Sequence, residues 1–185
     1  MALGEICADG GCPLFGEVGD GGCGFGARKW FSANWAVTTI DNSDMESGYK
    51  DAFWRLFKYF NKANDQAARI SEEIYLINLW TLGNKFQIES AQMAFYIPSS
   101  FQENPPAPTD DSVKINKWED LTIYIRAFGG INAGDPKSMK RNLAHLRKAL
   151  TMQNITPSSK ILMTYEYVRP GCGKQRNEVM LVDAE

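Results

Sequence analysis

The sequence predicts an α+β fold in which two helices lie on one mostly antiparallel sheet or open β-barrel. Three observations predict it. Two stretches, Tyr49 to Asn64 and Pro136 to Leu150, carry apolar residues at the three- and four-residue spacing of one helix face. Most stretches around them alternate apolar and polar residues, the pattern of half-buried strands. In chain order these read strand, helix, two strands, hairpin, helix, two strands, which is two copies of a strand-helix-strand-strand unit. Each helix must bury its apolar stripe, and one shared sheet does so for both.

Residues 1–27 hold nine glycines, three of the four cysteines and little periodicity, and read as an irregular N-terminal arm. Residues 28–185 read as a single domain. From Arg28 to Ile40 the residues Trp30, Phe31, Trp35, Val37, Thr38 and Thr39 favour a strand. Ser43 or Asp44 then caps the first helix. After the Asn64-Asp65 turn, Ala68 to Thr81 reads as a strand through Ile70, Ile74, Leu76 and Leu79. Gly83-Asn84 turns the chain into Phe86 to Ile97, which Pro98 ends. Pro105-Pro106-Ala107-Pro108 is a stiff extended segment, read as a surface loop or, more sharply, as a polyproline ligand for a partner domain. Val113 and Ile115 against Leu121, Ile123 and Ile125 suggest a hairpin about Asn116 to Asp120. Pro136 starts the second helix, with Met139, Leu143, Leu146 and Leu150 along its stripe and His145 off it, toward solvent. Ile161 to Tyr167 and Glu178 to Val182 supply the last two strands.

The chain has 185 residues, 44% of them apolar and 23% charged, with a net charge of -2 and a pI of about 5.5. No global basic field exists to hold a polyanion, which argues against nucleic acid as a partner. No apolar run approaches the roughly 18 residues of a membrane span. Met1 to Ile6 is too short and polar for a signal peptide. The four cysteines, Cys7, Cys12, Cys23 and Cys172, suggest two disulfides in an oxidising compartment, with three pairings open. Zinc is disfavoured because no CxxC pair occurs and His145 is the one histidine. No catalytic constellation emerges either. Glu72-Glu73 and Asp110-Asp111 are adjacent pairs, and neighbours on a strand face opposite sides.

The first helix carries the most pointed chemistry. Tyr49, Phe53, Leu56, Phe57 and Phe60 form an almost wholly aromatic stripe edged by Lys50, Arg55, Lys58 and Lys62. Such a face can plug a sheet core. It can also wall a pocket for a flat, hydrophobic, anionic molecule, with rings against its plane and lysines near its carboxylates.

Five segments taken in order resemble one known family. They are Gly48 to Asn64 with its LFKYF core, Phe95-Tyr96-Ile97-Pro98, NPPAPTDDSVKI from Asn104 to Ile115, IYIRAFGG from Ile123 to Gly130, and RNEVMLV from Arg176 to Val182. Together they resemble the SOUL/heme-binding proteins over roughly residues 28–182. The resemblance implies a distorted, open β-barrel of two pseudo-symmetric halves, each with a long helix. It implies non-enzymatic binding of haem or a related tetrapyrrole, porphyrin or bilin, in a hydrophobic cleft beside the first helix, for transport, sequestration or pigmentation. Carried over by position, the apolar contacts fall on Phe53 and Phe57 and the basic ones on Lys50 and Lys58. The family's methionines at the apolar positions are phenylalanines here, which stiffens the face. The family's Met-Thr-x-Pro-Val strand is replaced by ISEEIYLINLW, and no histidine precedes the first helix. Axial ligation of an iron would then fall to Met45, Tyr49 or Met93, or be absent.

Cys12-Pro13 resembles the start of some extracellular relatives. That resemblance implies a Cys12 to Cys172 disulfide, leaves Cys7 with Cys23, and places the mature protein outside the cell. Two other functions stay open at this stage. One is a protein interaction module using the proline tract or the second helix stripe in a groove. The other is an oxidative enzyme whose chemistry is carried by a bound pigment.

Overall fold

The computed structural model describes residues 13, 15–20, 25–41, 43–72, 74–82, 88–128, 136–168 and 177–183. All four cysteines lie outside these residues, and so does the predicted pairing of Cys12 with Cys172 and of Cys7 with Cys23. The elements are β1 (Phe15–Asp20), β2 (Gly26–Trp30), β3 (Ala33–Thr39), α1 (Met45–Phe60), β4 (Ile74–Leu82), β5 (Ile88–Tyr96), β6 (Lys114–Trp118), β7 (Leu121–Phe128), α2 (Pro136–Met152), β8 (Pro157–Val168) and β9 (Asn177–Asp183). The strands form one antiparallel sheet in the order β1-β2-β7-β9-β8-β4-β5-β3-β6. The fold class is α+β, as the stripes require.

The sheet order carries the internal symmetry. The unit β3-α1-β4-β5 contributes the neighbours β4-β5-β3, and the unit β7-α2-β8-β9 contributes β8-β9-β7 in the mirrored position. Each helix covers the first and the last strand of its own unit, α1 on β3 and β5 and α2 on β7 and β9.

Two sequence expectations are corrected here. Arg28 to Ile40 is not one strand but β2 and β3, broken at Phe31-Ser32. Val113 to Ile125 is not a hairpin, because β6 pairs with β3 while β7 pairs with β2 and β9. The two corrections share a cause. Trp30 is registered with Leu121 and Ala33 with Trp118, so the ribbon β2/β7 continues across a corner into the ribbon β3/β6. The corner is held where the Ser32 amide donates to Asp120 Oδ1 at 2.8 Å and Lys29 Nζ meets Asp120 Oδ2 at 3.1 Å.

The bent ribbon brings distant positions of the sheet order together. Trp30 on β2 stacks on Trp35 of β3 with centroids 5.9 Å apart, and Trp35 stacks on Trp118 of β6 at 4.6 Å. The sheet is therefore rolled around a second core of Trp30, Trp35, Tyr75, Ile77, Tyr96 and Ile123, on the face opposite the helices. Among the described residues no ladder joins the edge strands β1 and β6, so the roll is not a hydrogen-bonded closed barrel. Strand periodicity places Arg28 and Glu178 on this inner face too, where Arg28 Nη1 meets Glu178 Oε2 at 3.1 Å. Both side chains are more than nine-tenths buried, so Glu178 at the start of β9 belongs to an internal ion pair with Arg28.

Part of the stretch read as an irregular arm is regular. Phe15–Asp20 forms β1 and pairs antiparallel with β2, with a register shift between Glu17 and Gly19.

Candidate functional site

The site is built on α1. Asp44 caps it, its carboxylate accepting from the Ser47 amide at 3.3 Å, and Glu46 adds negative charge to the first turn. Gly48 lets the helix lie directly against the chain that leads into it, since an added Cβ would stand inside the backbone of Asp41. Ala52, Leu56, Tyr59 and Phe60 are fully buried and fix the helix on β3 and β5 beside Ala36, Met93 and Phe95. The Tyr59 hydroxyl donates to the Pro106 carbonyl at 2.8 Å, tying the proline tract to the helix. Ala107 exchanges hydrogen bonds with Asp65, and Asn64 bridges to Pro108. The tract is thus a structural strap, held at the Pro106 carbonyl and at both backbone groups of Ala107.

The sequence-predicted site residues divide by position around this helix. Phe53 and Phe57 are half-buried, their rings nearly parallel at 17° with centroids 5.9 Å apart. Phe53 also meets Phe95 edge-on at 5.6 Å, so the pair is continuous with the core beneath. Lys50 and Lys58 are exposed. Lys50 Nζ meets Glu46 at 2.9 Å, a solvated contact between neighbouring turns that holds little energy and leaves the ammonium available. Lys58 lies about 100° around the helix from Phe57, beyond the phenylalanine flank. There it shares with Arg55 the field that helps hold the Asp110 carboxyl below its usual range, after the larger effect of the Ser112 hydrogen bonds.

Trp54 was not among the predicted ligand contacts. It is 54% exposed, and its indole stands perpendicular to both phenylalanines, 5.9 Å from Phe53 and 5.3 Å from Phe57. Its signal in the sequence was positional. A large aromatic one residue off the buried stripe, four residues from a lysine on either side, is not core material.

Of the possible axial ligands, Met93 is fully buried, while Met45 and Tyr49 are half-buried on α1. His145 is exposed on α2. Among the described residues no three His, Cys, Asp or Glu side chains are grouped to hold a metal ion. The chemistry α1 offers is that of flat apolar surface edged by cations. The strand that departs from the family signature is β4, whose helix-facing side carries Ile74, Leu76, Asn78 and Trp80. Asn78 Oδ1 and Trp80 Nε1 are buried there without hydrogen-bond partners among the described residues.

The family model for SOUL heme-binding protein matches residues 11–182. The chain belongs to this family. Among curated relatives, Heme-binding protein 1 of Sus scrofa is 31% identical over 164 residues, covering 85% of this chain and 82% of the relative. Heme-binding protein 2 of Mus musculus is 26% identical over 157 residues, covering 84% and 76%. In solved structures the fold recurs at much lower identity. The EcmrR C-terminal domain superposes with a TM-score of 0.59 at 9% identity, over 93% of this chain and 99% of that one. An uncharacterized conserved protein from Listeria innocua gives 0.56 at 12% identity, over 84% and 90%. These two likenesses concern the fold alone.

On the second helix, the described part of the apolar stripe belongs to the core rather than to an interaction surface. Leu146 and Leu150 are fully buried, and with the half-buried Leu143 they pack in the core that α1 also joins.

Proposed function

We propose that this SOUL-family protein binds haem or a related tetrapyrrole, porphyrin or bilin, on the exposed flank of α1, without catalysing a reaction itself. One observation carries the proposal. Phe53, Trp54 and Phe57 form a three-ring cluster open to solvent at Trp54, on a helix that presents Lys50 and Lys58 alongside. Flat apolar surface next to ammonium groups suits a planar molecule whose edge carries carboxylates. The names of the relatives, Heme-binding protein 1 and Heme-binding protein 2, point to the same ligand class. Such a role fits transport, sequestration or pigmentation.

Haemin or biliverdin titrated into the purified protein should give a saturable change in the visible band at micromolar ligand. A titration showing only the spectrum of free ligand would falsify the reading. Lys58→Glu should weaken the binding severalfold and steepen no salt dependence, since it removes one cation from the anion's reach. Unchanged affinity in that variant would remove Lys58 from the site.

We extend the proposal to the cysteines and to location. A Cys12 to Cys172 disulfide with Cys7 paired to Cys23 would tie the arm to the chain's far end, worth about 4 to 5 kcal/mol in the loop-entropy picture. It would also suit an extracellular protein. Peptide mapping without reduction tests it, and four free thiols would overturn it.

A further inference from the structure

We propose that Trp54 is the central contact plane of the ligand site, so that the ligand lies along the outer ridge of α1 rather than wedged between α1 and the sheet. This rests on the reading of the preceding section and assigns within it a residue, and a ligand placement, that the conversion of family positions did not supply. The helix itself makes the case. Lys50, Trp54 and Lys58 are spaced four residues apart, which sets them in one row with about 6 Å of rise between successive members. An exposed indole thus stands with an ammonium one turn before it and another one turn after it. Phe53 and Phe57 lie in the adjacent row and hold the indole in place by edge contacts at 5.9 and 5.3 Å.

The division of labour follows from burial. Phe53 and Phe57 are half-buried and already packed, on Phe95 and on each other, so much of their ring surface is spent within the protein. Trp54 keeps 54% of its surface in water, where the other large aromatic cores, Trp30 and Trp35, keep 2%. A large apolar side chain held out of the core by two supporting rings, between two cations, is matched to a flat aromatic molecule bearing carboxylates. The ring stacks on indole, and the acids reach the lysines on either side. Lys58, which a cleft on the phenylalanine side would leave about 100° out of position, belongs naturally to this row.

The test compares haemin binding by the full chain as wild type, Trp54→Leu and Trp54→Phe, with the thermal midpoint of each. Leucine keeps apolar bulk and loses the ring, while phenylalanine keeps a ring. Trp54→Leu should weaken haemin about tenfold, Trp54→Phe by less than about threefold, and neither should move the midpoint appreciably, because Trp54 supports no core. If haemin binds wild type and both variants equally, the placement on Trp54 is overturned while tetrapyrrole binding stands. If the two variants lose affinity together with midpoint, Trp54 is structural and the placement falls. A wild-type protein that takes up no haemin overturns both this inference and the function it rests on.

Discussion

The strap across the end of α1 gives a prediction whose size can be worked from two side chains. Tyr59 is 1% exposed, and its hydroxyl donates to the carbonyl of Pro106 at 2.8 Å. Tyr59→Phe keeps the ring and its packing but leaves that buried carbonyl without this donor. Stranding a buried polar group costs about 1 to 2 kcal/mol, which in a chain of this length lowers the thermal midpoint by roughly 3 to 6 °C. The same phenol has a signature in alkali. Burial, with the nearby Asp65 carboxylate adding to it, pushes Tyr59 well above its ordinary value of 10.0. The folded protein then keeps a proton that the unfolded chain releases as pH rises past about 10, so this group's stabilising contribution is present below that pH and is lost as pH climbs toward the folded value. Urea unfolding followed by circular dichroism at about pH 8 and about pH 10.5 separates the two effects. Tyr59→Phe should be less stable at the lower pH, and the gap to wild type should narrow at the higher one. Equal stability at the lower pH, or a gap that does not change with pH, would refute the assignment of this hydrogen bond.

Other predictions test the supports of the site. Gly48→Ala should destabilise by about 1 to 3 kcal/mol, read as a lower urea midpoint, because the new methyl must displace the backbone of Asp41. Leu146→Ala should cost about 2 to 5 kcal/mol by opening a cavity under α2, where Leu146 is fully buried. The Asp110 carboxyl is held below its ordinary range by the Ser112 hydroxyl at 2.6 Å and the Ser112 amide at 2.8 Å. Its contribution is therefore present above the ordinary carboxylate range and is lost as pH falls through the depressed folded value. Asp110→Asn should flatten the acid limb of the stability profile between about pH 2 and 5, and an unchanged limb would remove that role.

The helices were legible in the sequence and the wiring of the sheet was not. The aromatic stripe of α1 and the capping role of Asp44 follow from spacing and side-chain chemistry, and the structure buries Leu56 and Phe60 accordingly. Alternation in Val113 to Ile125 told which face each residue takes, but not which strand lies next door. Pairing of β6 with β3 and of β7 with β2 depends on the bend at Phe31-Ser32, a feature set by the Ser32 amide and Asp120 across 88 residues of chain. β1 was hidden for a different reason. Its ladder uses backbone groups, which glycines supply as well as any residue, so a glycine-rich stretch showed no side-chain period. On α1, Phe53 and Phe57 were legible as members of the stripe, and the structure half-buries both. Trp54 was passed over because it stands off the stripe, and that displacement is what leaves it exposed.

The central claim is that the α1 flank of this SOUL-family chain takes up a tetrapyrrole. An absorption titration of haemin into the purified protein, at a fixed low micromolar concentration of chain, tests it most directly. The account predicts a shifted Soret band that saturates near one equivalent and is weakened by Trp54→Leu. A spectrum that remains the sum of free haemin and protein throughout the titration would contradict it.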